Sequence, residues 1–164
     1  MQSSSAAQTT DCLGRCDNLT MEELDHITDN IHKTLTDPKG NELFASYLMD
    51  GQFSDSLACL NVYNTCSKYL TEEQNRSIHG SSSEEESKSL ESLVTKVEMM
   101  QKTVFDLNEI DLSLMKQFKD ALKEKTKEAL LNVLENIKDQ CQNCLRKMHE
   151  RFRDYILRCK NTST

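Results

Sequence analysis

The residues of this chain able to do chemistry are seven cysteines, four histidines, a serine run followed by glutamates, and three Asn-x-Ser/Thr triplets. Cys141-x-x-Cys144 has the spacing of a zinc half-site or a dithiol redox pair. Both cysteines, however, fall on the apolar stripe of a long helical pattern, where they act as small core residues. A structural zinc would need a second pair, and Cys12-x-x-x-Cys16 lies far away in a polar leader. The spacing therefore predicts buried thiols. Their odd number suits a reducing compartment better than a full disulfide framework. His26, His32, His79 and His149 stand at unrelated places, with no His-x-x-x-His and no glycine-rich phosphate loop. The Ser and Asp residues sit where helix caps are needed. No catalytic set, metal or cofactor is expected, and the chain is expected not to be an enzyme.

Two motifs point elsewhere. Ser81, Ser82 and Ser83 each stand three positions before an acid, Glu84, Glu85 and Glu86, which is a pattern an acid-directed kinase uses. Phosphates there would deepen the local negative charge. Asn18, Asn75 and Asn161 head glycosylation triplets in expected loops. They keep an alternative open, a secreted, cytokine-like helical bundle.

The elements that must position these residues read as helices. The 164 residues hold 4 Gly, 1 Pro and no Trp, too few breakers for a sandwich, a barrel or a dinucleotide-binding sheet. With 27 acids against 20 bases, the chain does not suit general nucleic-acid binding, which needs clustered cations. No apolar run approaches the roughly 20 residues of a membrane span, and no secretory leader is visible at the start. Charge is uneven: residues 1–100 hold 7 bases and 17 acids, and residues 101–164 hold 13 and 10. Such polarity can steer a charged partner, though solvated helix faces account for it as well.

Residues 1–18 read as a flexible leader. Thr20 with Glu23 forms a capping box, and Leu24, Ile27, Ile31 and Leu35 then share one helical face. Asp37-Pro38-Lys39-Gly40 stops that helix and caps the next, which buries Leu43, Phe44, Tyr47 and Leu48 and ends at Gly51. Ser54 caps a helix over about 55–70, with Leu57, Leu60, Val62, Cys66, Tyr69 and Leu70 inward. Residues 71–88 read as a disordered, solvated insertion. Leu90 to Val104 mark a further helix, 107–111 a loop, and Ser113 the cap of a short helix. From Leu130 to Ile156 the apolar stripe does not miss, as one helix or as two bent near His149. Residues 159–164 form a polar tail.

Several strings in this order resemble the regulator of G-protein signalling (RGS) homology domain. Asp37-Pro38-Lys39-Gly40 with Leu43-Phe44 and Tyr47-Leu48 is similar to that family's D-P-x-G-x-x-x-F-x-x-F-L. Gln52-Phe53-Ser54-Asp55 is similar to its E-F-S-x-E-N-L, Asn108-Glu109-Ile110-Asp111 to its I-N-I-D loop, and Arg151-Phe152 to its terminal P-R-F-L. The likeness spans residues 19–158. It implies an all-α, multi-helix bundle with a central antiparallel four-helix core. It also implies a protein-binding module that meets a G-protein α subunit, or a diverged partner, through Phe53, Ser54, Asp55, Ser56, Asn108, Glu109 and Asp111, with Arg151 in support. The loops at 52–56 and 107–111 are then expected side by side. Such a domain supplies no catalytic group and acts by holding the α subunit's switch loops so that its own Gln and Arg are placed.

This chain departs from the family where activating members contact those switches. Asp55-Ser56 replaces a Glu-Asn pair in a loop one residue shorter. In the second loop Glu109 stands where an Asn would fall, or Asn108 fills that role with a one-residue slip. Cys59 and Leu60 replace the aromatic pair of the core helix, and Val133-Leu134-Glu135-Asn136-Ile137 lies where the family has F-D-x-A-Q. Each lost amide leaves a switch group unpaired, at about 1–3 kcal/mol, so binding is expected to outlast GTPase activation. The implied location is the cytoplasm, with access to a membrane surface through the partner.

Overall fold

The computed structural model describes residues 18–79, 82–107 and 110–162, and every regular element in them is helical. The helices are α1 (Met21–Thr28), α2 (Ile31–Thr36), α3 (Pro38–Asp50), α4 (Ser54–His79), α5 (Ser83–Phe105), α6 (Leu112–Glu124) and α7 (Lys127–Thr162). The all-α expectation is met. The chain divides into two compact units, one of residues up to Leu57 together with Leu145 onward, the other of Ala58–Cys144. Helices α4 and α7 contribute to both.

In the first unit the caps explain the boundaries. Thr20 and Glu23 form the reciprocal capping box that starts α1. The single helix expected over 21–36 is corrected to two. Asn30 accepts from the Lys33 amide at 2.9 Å and starts α2 afresh. The carbonyl of Ile27, released at the end of α1, is taken by the Thr34 hydroxyl at 2.8 Å. Asp37 then accepts from the Lys39 and Gly40 amides, with Pro38 in the first turn of α3, where its missing N–H costs nothing. Gly40 is required by proximity: a Cβ there would lie 2.8 Å from the Thr34 carbonyl oxygen. Leu24, Ile31, Leu35, Leu43, Phe44, Leu48, Phe152 and Ile156 form the core of this unit.

In the second unit, α4 from residue 58, α5, α6 and α7 up to Cys144 bury Leu60, Val62, Tyr63, Leu93, Val97, Phe118, Leu134 and Ile137. Across it, Lys96 of α5 pairs with Glu72 of α4 at 2.8 Å, and Asn136 of α7 donates to Gln117 of α6 at 2.7 Å.

The insertion expected over 71–88 is corrected over its described part. Helix α4 runs on to His79, and α5 begins at Ser83 behind a Ser82 cap, with Glu84, Glu85 and Glu86 in its first turn. Acids there complement the positive end of the helix dipole. Glu73 is only 2% exposed, and its carboxylate meets Arg76 at 3.1 Å and Lys127 at 4.0 Å. A polar residue in a run short of apolar side chains is thus part of the packing. The cap of α6 is Asp111 rather than Ser113, whose amide it accepts at 2.9 Å. The last stripe is one helix of 36 residues, and it continues to Thr162 through most of the expected tail.

Candidate functional site

The two expected docking loops are built differently. Helix α3 ends at Gly51, whose φ of −82° is ordinary, and the left-handed residue is Gln52 with φ 57°. Gly51 is needed for space, since a Cβ there would run into the Phe53 ring. That ring lies 5.7 Å from the ring of Tyr47, and the Arg151 guanidinium stands over it at 5.2 Å. Tyr47 in turn packs on Phe152 at 5.5 Å and on Tyr155 at 5.3 Å. Burial lifts the Tyr47 phenol above its ordinary pKa, and the nearby Arg151 charge partly opposes the shift. Phe53 and Arg151, 98 positions apart in sequence, are therefore in contact as two parts of one surface. Ser54 and Asp55 are exposed and Ser56 is half-buried in the first turns of α4. Met49, 56% exposed, stands just before this loop.

The other loop follows α5. Asn108 and Glu109 lie outside the described residues. Asp111 is exposed and serves as the cap of α6. On either side of this loop stand Phe105, 75% exposed, and Leu112, 86% exposed, the two most exposed large hydrophobic side chains among the described residues. Sequence reading missed both. The signal available was that Phe105 lies one position beyond the Val104 stripe and Leu112 two before Leu114. Residues 53–56 and Arg151 belong to the first unit and Asp111 to the second.

Of the serines, Ser81 lies outside the described residues, Ser82 caps α5 with its hydroxyl on the Glu85 amide, and Ser83 is exposed in the first turn. Asn18 and Asn75 are exposed, Asn75 on α4 rather than in a loop.

Cys59, Cys66 and Cys141 are buried, and Cys144 and Cys159 are half-buried. Among the described residues, no group of three or more His, Cys, Asp or Glu is arranged to hold a metal ion. Burial pushes the Cys66 thiol up to about 12. A hydrogen bond with Cys59 and then burial raise Cys141 well above the ordinary thiol value. His26 and His32 are exposed, as their positions off the stripe imply, whereas His149 is only 5% exposed. A groove of about 780 Å³ runs between α4 and α7 of the second unit, lined by Leu70, Leu131, Glu73, Glu135, Lys127 and Lys138 among others. Its charges are balanced. No helix among the described residues is long and apolar enough to cross a membrane.

Compared with protein-family models, curated proteins and solved structures, the chain matches none.

Proposed function

We propose that this chain is a divergent protein-docking module of the RGS-homology kind, which binds a G-protein α subunit or a diverged partner and carries no catalytic group of its own. The observation that carries this reading is the exposure of Phe105 and Leu112 on both sides of the 107–111 loop. Exposing two large apolar side chains beside one short loop forgoes burial worth about 1.5–3 kcal/mol per side chain. Contact with a partner recovers it. Phe53 under Arg151, with Met49 close by in sequence, gives the other loop a similar make-up of apolar surface beside a cation. Aromatic and Arg side chains are the usual anchors of protein interfaces.

Binding is the proposed activity, and acceleration of GTP hydrolysis is expected to be weak or lost, because the switch-contacting amides are poorly matched. The test is a binding assay with a panel of α subunits in their transition-state-mimic form, run beside single-turnover GTP hydrolysis. Binding that falls on Phe105→Ser or Leu112→Ser supports the reading. No binding together with no change in hydrolysis rate ends the G-protein assignment.

A further inference from the structure

Helix α6 carries one face that the core does not use. Leu112, Lys116, Lys119 and Lys123 recur along it at helical spacing, so the three lysines lie within about 40° of Leu112 round the helix axis. Leu114, Phe118 and Ala121 are buried on the opposite side. All three lysines are exposed, and Leu112 is 86% exposed. Among the described residues, no carboxylate lies within ion-pair distance of these lysines. Lys123 complements the helix dipole from the last turn, but Lys116 and Lys119 in mid-helix have no such use. The acids of α6, Asp120 and Glu124, stand on a flank, about 80–120° round from Leu112. Asp111, next to Leu112, has its carboxylate on the Ser113 amide.

We propose that this face of α6 docks on an anionic phospholipid surface, with the three ammonium groups among the headgroups and Leu112 in the shallow apolar boundary beneath them. Charge complementarity selects the occupant. The cations here are all lysine, and residues 77–145 contain no arginine. Protein interfaces favour Arg, whose planar fork pairs with fixed carboxylates, and are poor in Lys. A lysine is a point charge on a flexible stem, which suits the diffuse negative potential of a bilayer. A large apolar side chain at the head of the stripe supplies the part that a purely electrostatic contact lacks.

The whole chain, at a net charge of −7, is repelled by such a surface, so attraction has to come from a local face. Each lysine held near the headgroups contributes about fivefold in affinity, and three together about 100-fold. Burying Leu112 adds about tenfold or more. The inference goes beyond the G-protein reading and shares only Leu112 with it.

The experiment is co-sedimentation of the full chain with vesicles of phosphatidylcholine alone and with about 30% phosphatidylserine. Binding is expected on the anionic vesicles only. It should fade between about 0.1 M and about 1 M salt, as the screening length falls from about 10 Å to about 3 Å. The triple variant Lys116→Gln, Lys119→Gln, Lys123→Gln is expected to lose about 100-fold, and Leu112→Ser about tenfold. Lys68→Gln, Lys88→Gln and Lys147→Gln together remove the same charge from exposed sites on α4, α5 and α7, and should cost less than about threefold. Circular dichroism checks that each variant is helical. No binding to anionic vesicles at low salt, equal binding to both kinds, or equal loss in the two triple variants would overturn the proposal. So would capture by soluble polyglutamate without vesicle binding, which assigns the face to an acidic protein. The vesicles carry no protein and the α-subunit assay no lipid, so either reading can fail alone.

Discussion

His149 Nε2 lies 2.7 Å from Thr34 Oγ1, joining two residues 115 positions apart. The Thr34 hydroxyl also donates to the Ile27 carbonyl at 2.8 Å, so its oxygen accepts from an Nε2–H of the imidazole. The chain His149 to Thr34 to Ile27 ties α7 to the break between α1 and α2. Phe44 sits edge-on to the imidazole at 5.7 Å, and Phe152 lies 6.0 Å away.

This burial makes stability depend on pH. Desolvation, with the Arg153 charge adding to it, pulls the His149 pKa down from 6.5 to about 4. Asp25, on α1, pairs with that Arg153. The folded state binds fewer protons than the unfolded state between these two values. The stabilisation is therefore complete above pH 6.5, falls as pH drops towards 4, and is gone below it. The loss amounts to about 3 kcal/mol. Urea midpoints between pH 7.5 and 4 check it, and His149→Gln is expected to flatten the curve over that window.

Thr34→Val keeps the shape of the side chain and removes the hydroxyl. The imidazole N–H loses a partner in a buried place, and the Ile27 carbonyl loses one in a half-buried place. A cost of about 2–6 kcal/mol follows from about 1–3 kcal/mol per unsatisfied group. Chemical denaturation at pH 7.5 measures it.

Gly40→Ala places a methyl 2.8 Å from the Thr34 carbonyl oxygen, on backbone that cannot step aside without parting α2 from α3. Ala is otherwise the better helix former by about 1 kcal/mol. The variant is nevertheless expected to be less stable by about 1–3 kcal/mol, the usual cost of overpacking. An unchanged or higher melting temperature would refute the close approach.

Phe53 and Arg151 are expected to couple. A double-mutant cycle of Phe53→Ala and Arg151→Ala, read by denaturation, should give an interaction energy of about 0.5–1 kcal/mol, as for an exposed cation over an aromatic face. Phe105→Ser and Leu112→Ser form the contrast, because side chains this exposed contribute little to the fold. Each should shift stability by less than about 0.5 kcal/mol, so any loss of partner binding in these variants is a surface effect.

Local signals in the sequence carried much of the helical plan. The capping box at Thr20, the Asp37-Pro38 start of α3 and the apolar spacing through α7 need only neighbours within one or two turns, and they agree with the structure. The reading failed where a distant residue decides. Leu24, Ile27, Ile31 and Leu35 fit one helix, and the break at Asp29-Asn30 holds because Thr34 answers to Ile27 and to His149. Residues 71–79 look solvated, yet Glu73 is buried against Arg76 and Lys127, the latter 54 positions away. Arg151 and Phe53 were both legible as surface residues, and their contact was not.

Composition, periodicity and local capping alone determine that this chain is helical, where α1 and α3 start, and which faces are apolar, because those properties arise from hydrogen bonds and side chains within a few residues of one another. Tertiary structure alone decided that His149 belongs to the core, that Gly40 and Gly51 are there for room, and that Phe105 and Leu112 stand in solvent. Burial and close approach are properties of what packs against a residue, and sequence spacing carries no record of a neighbour a hundred positions away.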